Sequence, residues 1–92
     1  MDVRINAGYT ITDSIHVGNV EFVIGESRSA PAMFVTWECK GKNNYYWGHY
    51  LTDRMAAVRD LLDRAGKELE YQERQQARQI PQAQKTGKER ER

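Results

Sequence analysis

The sequence has few of the residues that build a disulfide framework, a membrane span or a strongly charged surface. Its 92 residues include one cysteine, which excludes an internal disulfide and most cysteine-based metal sites. No apolar run approaches the roughly 20 residues needed to span a bilayer, and the first ten residues lack the basic and apolar regions of a signal peptide. The formal net charge of +1 is too small to indicate a nucleic-acid or membrane surface by itself. We therefore expect a cytoplasmic protein.

The composition is that of one small domain with a solvated segment. Hydrophobic residues make up 39% of the chain and charged residues 29%, which predicts a folded part joined to a polar part. The positive charge is concentrated from Arg74 onward. We predict a single domain over residues 1–71, a polar helix extension over 72–81 and a disordered tail over 82–92.

Residues 9–26 have the pattern of a β-hairpin. Gly18-Asn19 is a two-residue turn with glycine at the first central position, where φ must be positive. The predicted cross-strand pairs are Val17 with Val20, Ile15 with Phe22 and Asp13 with Ile24. Period-2 alternation then places on one face Ile11, Ile15, Val17, Val20, Phe22 and Ile24. The other face carries Thr10, Thr12, Ser14, His16 and Glu21.

Two further strands are predicted at residues 33–40 and 45–51, joined by a turn at 41–44. Alternation places on one face of the third strand Met33, Val35, Trp37 and Cys39. The register of the fourth strand stays open. If Lys40 opposes Tyr45, the residues that share the face of Trp37 are Tyr46, Gly48 and Tyr50. After a shift of one they are Tyr45, Trp47, His49 and Leu51. In either register a row of aromatic side chains faces away from the core.

The apolar period changes from Thr52 to that of a helix. Thr52 is an acceptable N-cap, and Asp53 in the first turn complements the helix dipole. The predicted core stripe consists of Leu51, Met55, Val58, Leu62, Ala65 and Leu69, widened by Leu61. Gly66 in mid-helix suggests a close packing contact, and Ile80-Pro81 ends the helix. The predicted fold is therefore α+β, with a four-stranded antiparallel sheet from two hairpins (ββββα) and one C-terminal helix packed on one face.

No pattern in the sequence is typical of an enzyme. Cys39 lies within an apolar strand, where a buried cysteine is usually inert. His16, His49 and Cys39 lack the spacing of metal ligands, and no glycine-rich loop has the arrangement that binds phosphate. We predict a protein with no catalytic residues, no metal and no cofactor.

The most informative feature is an aromatic cluster made of Phe34, Trp37, Tyr45, Tyr46, Trp47 and Tyr50. Part of it can cover the sheet, and an exposed part could anchor a protein interface or stack on the bases of single-stranded nucleic acid. Nucleic-acid binding would use Arg28, Lys40 and Lys42, but the net charge of −1 over residues 1–50 disfavours it. The predicted partner-binding residues are Lys42, Asn43, Asn44, Tyr45, Trp47 and His49, with Arg54 and Arg59 as flanking charges.

Three runs carry a resemblance to known proteins, namely GYTITDSIHVGNVEFVIGE, APAMFVTWECK and NYYWGHYLTDRMAAVRDLLDRA. Over about residues 7–70 the chain resembles small proteins of conjugative elements and plasmids of Gram-positive bacteria. Some proteins of such elements are anti-CRISPR proteins, which bind and disable RNA-guided nucleases. The resemblance implies a non-enzymatic inhibitor that occludes a CRISPR nuclease, with or without its guide RNA.

Two alternatives remain. One is a small regulator that binds single-stranded or guide RNA through the same aromatic sheet face. The other is a weak homodimer formed through an edge strand or through the helix stripe, since the stripe is close to a coiled-coil seam.

Overall fold

The computed structural model describes residues 3–41 and 43–79. The elements in chain order are β1 (Ile5–Asn6), β2 (Tyr9–Val17), β3 (Val20–Glu26), β4 (Phe34–Lys40), β5 (Asn44–Leu51) and α1 (Arg54–Gln79). Neighbouring strands pair antiparallel in the order β1-β2-β3-β4-β5. The α+β class and the C-terminal helix are confirmed.

The sheet has five strands where the sequence predicts four. The additional strand, β1, has two residues and is joined to β2 by Ala7-Gly8, where both residues have positive φ. A strand this short has no alternating pattern for sequence reasoning to detect.

The β2–β3 register is confirmed, with one exception. Val17 lies opposite Val20, Ile15 opposite Phe22 and Asp13 opposite Ile24, as predicted. The register then shifts between Asp13 and Ile11, which lies opposite Gly25. The expectation that Ile11 shares the face of Ile15 is wrong, because the extra residue of a bulge reverses the alternation. Ile11 instead packs against the cluster on the other face.

Both faces of the sheet carry a hydrophobic cluster. The cluster under α1 consists of Phe22, Ile24, Phe34, Ala57, Leu61 and Ala65. The cluster on the opposite face consists of Tyr9, Val23, Val35 and Trp37. The sheet curls around this second cluster, since Arg4 Nε, next to β1, donates a hydrogen bond of 3.1 Å to Tyr45 Oη on β5 at the opposite edge.

Helix α1 begins one residue later than predicted. Part of the predicted core stripe is confirmed, because the cluster under α1 includes or contacts Leu51, Val58, Leu61 and Ala65. The N-cap is Asp53 rather than Thr52, because Asp53 Oδ2 accepts a hydrogen bond of 2.9 Å from the Ala56 amide. The buried helix residues are Ala57, Leu61 and Ala65, whereas Met55, Leu62 and Leu69 of the predicted core stripe are exposed. A Cβ at Gly66 would meet nothing within 4 Å, so the expected close contact at Gly66 is absent.

The helix continues through residues 72–79, and Gln72 Nε2 donates a hydrogen bond of 2.8 Å to the Val17 carbonyl. The predicted helix end at 80–81 and the tail over 82–92 lie outside the described residues. Within residues 3–41 and 43–79, no helix has both the length and the apolar character that a membrane crossing requires.

Candidate binding surface on strand β5

Strand β5 contains a bulge that combines both of the registers left open by the sequence. Lys40 lies opposite Asn44 at the start of the strand, which is the shifted register. Beyond the middle the pairing moves by one residue, so that Val35 lies opposite Tyr50, as in the first register. The extra residue lies on β5 and reverses which face each side chain occupies.

Trp47 lies in this bulge with a φ of 56°. This left-handed region favours glycine, and a bulky residue there is an outlier that costs about 1–3 kcal/mol. The Trp47 side chain is nevertheless 70% exposed, so its burial does not offset the cost. The fold therefore holds a large aromatic side chain in solvent at an energetic penalty.

The indole of Trp47 is supported from one side by Tyr46. The two rings meet edge to face with centroids 4.9 Å apart, an arrangement that favours a fixed ring orientation. The Tyr46 hydroxyl donates a hydrogen bond of 3.1 Å to Glu38 Oε2. Burial of the phenol, together with this hydrogen bond, raises the pKa of Tyr46, so the donor stays protonated at neutral pH.

Gly48 explains why the bulge lies at this position. A Cβ on Gly48 would lie 2.8 Å from Trp37 Nε1, too close for any side chain without a shift. Trp37 is buried, so its indole occupies the space beside β5 that a side chain at Gly48 would need. The bulge thus leaves room for the indole of Trp37 in the core and places the indole of Trp47 in solvent.

His49 is held by a polar network that joins β5 to α1. Its Nδ1 lies 2.9 Å from Asp60 Oδ2, and the same carboxylate accepts a hydrogen bond from the hydroxyl of the buried Thr36. Arg64 completes the network through hydrogen bonds of 3.1 Å to the Thr36 carbonyl and 3.0 Å to Thr36 Oγ1. Desolvation lowers the pKa of Arg64 from its usual value. His49 keeps a half-exposed side chain in a fixed position.

The structure brings together only part of the predicted binding set. Trp47 and His49 lie along β5, and Asn43 and Asn44 are exposed where the strand begins. We call these four residues the β5 surface. Lys42 lies outside the described residues.

Three other predicted contact residues lie elsewhere. Tyr45 is partly buried on the opposite sheet face, with its ring centroid 5.4 Å from that of Trp37. Arg54 forms an ion pair of 3.1 Å with Asp13 on β2, and Arg59 is exposed on α1. Sequence reasoning missed the supporting role of Tyr46, and the glycine that follows Trp47 was the available signal for a bulge.

The electrostatics of the β5 surface do not match a nucleic-acid backbone. Asp60 contacts His49 of this surface, and Glu38 accepts a hydrogen bond from Tyr46, which supports Trp47. Arg28, one of the cations expected to follow a nucleic-acid strand, lies in the β3–β4 connection and pairs with Glu26 at 3.8 Å. This connection is at the far end of β4 from Lys40. Arg28 and Lys40 therefore do not lie together beside Trp47 as the cations of a nucleic-acid site would.

Within the described part of the chain, no group of three His, Cys, Asp or Glu side chains is placed to hold a metal ion. The Cys39 sulfur is buried beneath Arg4, 3.8 Å from its Nη2.

Comparison of the chain with models of protein families, with curated proteins and with solved structures found no match.

Proposed function

We propose that the chain is a non-enzymatic binding protein that occludes a surface of a larger protein, with Trp47 as the central anchor. The observation that carries this proposal is an indole that is 70% exposed although its backbone has a φ of 56°. Strained backbone concentrates at functional positions. Tryptophan is also among the residues most enriched at the energetic centres of protein interfaces.

The surroundings of Trp47 support such a role because they are ordered before any partner binds. Tyr46 contacts one edge of the indole, and Asp60 fixes the His49 ring through a contact of 2.9 Å. Side chains that are already restrained lose little conformational entropy on association. The β5 surface is therefore suited to binding by rigid contact.

For the partner class the proposal relies on the resemblance to small proteins of bacterial mobile elements expected from the sequence of residues 7–70, and not on the geometry of the β5 surface. We propose an RNA-guided nuclease as that partner, which places the protein in the cytoplasm. Such nucleases hold nucleic acid in a strongly basic channel, but the formal net charge here is only +1. We therefore propose that the protein blocks a protein surface or guide loading, rather than imitating a nucleic-acid backbone.

The test is a binding assay of the tagged full chain against a panel of purified RNA-guided nucleases, each with and without its guide RNA. We expect one nuclease to bind and to lose cleavage activity. The Trp47→Gly variant should bind at least about 30-fold more weakly, the loss typical of an interface hot spot. Dependence on guide RNA would distinguish a block of guide loading from a block of a later step.

Tyr50→Ser is the matched control. Tyr50 is also an exposed aromatic residue of β5, but it lies on the opposite sheet face, 6.2 Å from the Tyr9 ring. We expect this variant to bind like the wild type. Equal losses in both variants, or no loss in Trp47→Gly, would rule out Trp47 as the anchor.

Salt dependence separates the protein interface from nucleic-acid binding. If the chain binds guide RNA or another single strand instead, the affinity should fall steeply between about 50 and about 200 mM salt, because bound counterions are released. Such a result, without binding to any nuclease, would overturn the proposal in favour of an RNA-binding regulator.

A further inference from the structure

Helix α1 carries a second apolar stripe that neither hydrophobic cluster uses. Met55, Leu62 and Leu69 are 70%, 56% and 50% exposed. They are seven residues apart, and because a helix turns by about 100° per residue, they lie in one line along α1. We call these three residues the outer stripe. The same geometry places the stripe about 100° around the helix from Leu61, which faces the sheet.

The outer stripe is separate from the β5 surface. Asp60, which binds His49, precedes Leu61 and therefore lies about 100° from Leu61 in the opposite direction. The stripe thus lies on the other flank of the helix. A partner held by Trp47 and His49 leaves it uncovered.

Gly66 lies beside the outer stripe, between Leu62 and Leu69. A Cβ at this position would meet nothing within 4 Å. Glycine destabilises a helix interior relative to alanine, and no contact within the described chain requires it here. The helix surface next to Leu62 therefore carries no side chain at this position, which allows a second helix to approach closely.

The charges beside the stripe determine the orientation of such a helix. Arg59 lies on the N-terminal half of α1, whereas Glu70 and Glu73 lie on the C-terminal half, and all three are exposed. None of them forms an ion pair within residues 3–41 and 43–79. A parallel second copy would place Arg59 against Arg59, while an antiparallel copy places Arg59 against Glu70 and Glu73. Opposed helix dipoles also favour the antiparallel arrangement.

We propose that the outer stripe is the interface of an antiparallel homodimer. Leu62 of each copy packs on Gly66 of the other, and Arg59 of each copy pairs with Glu70 and Glu73 of the other. This charge complementarity selects a second copy of the chain as the occupant. Because the stripe offers only three exposed apolar side chains from each copy, we expect the association to be reversible.

Sedimentation velocity of the full chain tests this proposal, from about 1 to about 300 μM, because dimer population depends on protomer concentration. We expect the sedimentation coefficient to rise from the monomer to the dimer value. The Leu62→Asp variant should weaken the dimer at least about tenfold, with an unchanged circular dichroism spectrum because Leu62 is exposed. A wild type that remains monomeric throughout the range would overturn the proposal.

Tyr71→Ser is the matched control, because Tyr71 is an exposed apolar residue of α1 that lies off the outer stripe. We expect it to dimerise like the wild type. A loss of dimer in this variant equal to that in Leu62→Asp would show that the stripe is not the interface.

Charge exchange tests the orientation. Arg59→Glu should produce a monomer, because it places carboxylates against Glu70 and Glu73. The triple variant Arg59→Glu, Glu70→Arg, Glu73→Arg should regain the dimer, since the antiparallel pairs are restored with their signs exchanged. Failure of the triple variant to dimerise would overturn the antiparallel arrangement. Leu62→Asp should still bind a nuclease and Trp47→Gly should still dimerise, so the two proposals fail separately.

Discussion

At the scale of single residues, Trp47 and Glu21 show how this chain holds side chains in unfavourable positions. Trp47 adopts a φ of 56° and remains exposed. Glu21 is 5% exposed, yet it is ionised because Arg4 donates hydrogen bonds of 2.9 Å and 3.1 Å to its two carboxylate oxygens. Trp47 thus combines a strained backbone with an exposed side chain, whereas Glu21 is charged and buried.

The strain at Trp47 can be measured by comparing two substitutions. Trp47→Ala and Trp47→Gly both remove the indole, but only glycine adopts a positive φ without steric cost. We expect the glycine variant to have the higher free energy of unfolding, by about 1 kcal/mol. Urea denaturation of both variants measures this difference. Equal stabilities would mean that the bulge relaxes once the indole is removed.

The ion pair between Arg4 and Glu21 contributes to stability because it compensates for the burial of the carboxylate. Desolvation by itself would raise the pKa of Glu21, but the hydrogen bonds and the positive charge of Arg4, with smaller contributions from His16 and Ser14, together hold that pKa below its usual value. The hydrogen bond to Glu21 likewise raises the pKa of Arg4. The pair also connects the edge of the sheet beside β1 to the central strand β3.

Glu21→Gln should lower the free energy of unfolding by about 1–3 kcal/mol at neutral pH, less than for a fully buried pair because the Arg4 side chain is 31% exposed. Asp13→Asn is the control, because its ion pair with Arg54 is exposed at 37% and 48% and should contribute less than about 1 kcal/mol. Urea denaturation measures both. Equal losses of unfolding free energy in the two variants would show that burial does not increase the contribution of the Arg4–Glu21 pair.

The same ion pair should make the stability of the protein depend on pH. Because the folded-state pKa of Glu21 is lowered, the contribution of the pair is complete above the unfolded value of about 4.3 and is lost as the pH falls through the folded value. The stability difference between wild type and Glu21→Gln should therefore shrink on acidification. A constant difference from pH 7 to pH 3 would exclude this linkage.

At the scale of elements, the strands and the helix differ in how far the sequence determines them. The β2–β3 register follows from the local turn Gly18-Asn19, so the sequence predicts it correctly. The register of β5 depends on the contact between Trp37 and Gly48, which are distant in sequence, so the alternating pattern leaves two choices open. Each choice holds over one half of the strand.

Helix α1 shows a second limit. Its sequence contains two adjacent apolar stripes, and periodicity alone does not determine which one faces the sheet. The structure buries the stripe with the smaller side chains, Ala57 and Ala65, which lets the helix lie close to Phe22 and Phe34. The stripe with the larger side chains, from Met55 to Leu69, remains outside.

Two glycine substitutions test these element contacts. Gly48→Ala should lower the free energy of unfolding by about 1–3 kcal/mol, because the new Cβ would overlap the Trp37 indole. Gly66→Ala should raise it by about 0.5–1 kcal/mol, because the position is helical and open. Thermal denaturation at about 1 μM, where the monomer predominates, measures both. A stabilising Gly48→Ala would contradict the packing described for the bulge.

At the scale of the whole molecule, one strand joins the two hydrophobic clusters. In β3 the five consecutive residues from Glu21 to Gly25 are buried. Phe22 and Ile24 face α1, whereas Val23 belongs to the cluster on the opposite face of the sheet. Since both clusters share this strand, neither can lose its packing without exposing part of the other. The chain should therefore unfold as one cooperative unit.

Two optical probes test this expectation. In the Trp47→Phe variant the fluorescence of the remaining tryptophan, Trp37, reports on the cluster on the face opposite α1. Far-ultraviolet circular dichroism reports mainly on α1. We expect the two urea transitions to coincide, and Leu61→Ala to shift both equally by about 2–4 kcal/mol. Loss of the helical signal at lower urea concentration would show that α1 detaches as a separate unit.

The bulge in β5 has a further consequence for the edges of the sheet. An open edge exposes unpaired backbone groups on which another chain can add a strand, which is how soluble proteins grow into fibres. On one side of the sheet β1 covers only the start of β2, and on the other side the edge formed by β5 is interrupted at Trp47. A strand added there could pair regularly only with Asn44–Tyr46 or with Gly48–Leu51. The distortion that exposes Trp47 thereby also protects the β5 edge against the addition of another strand.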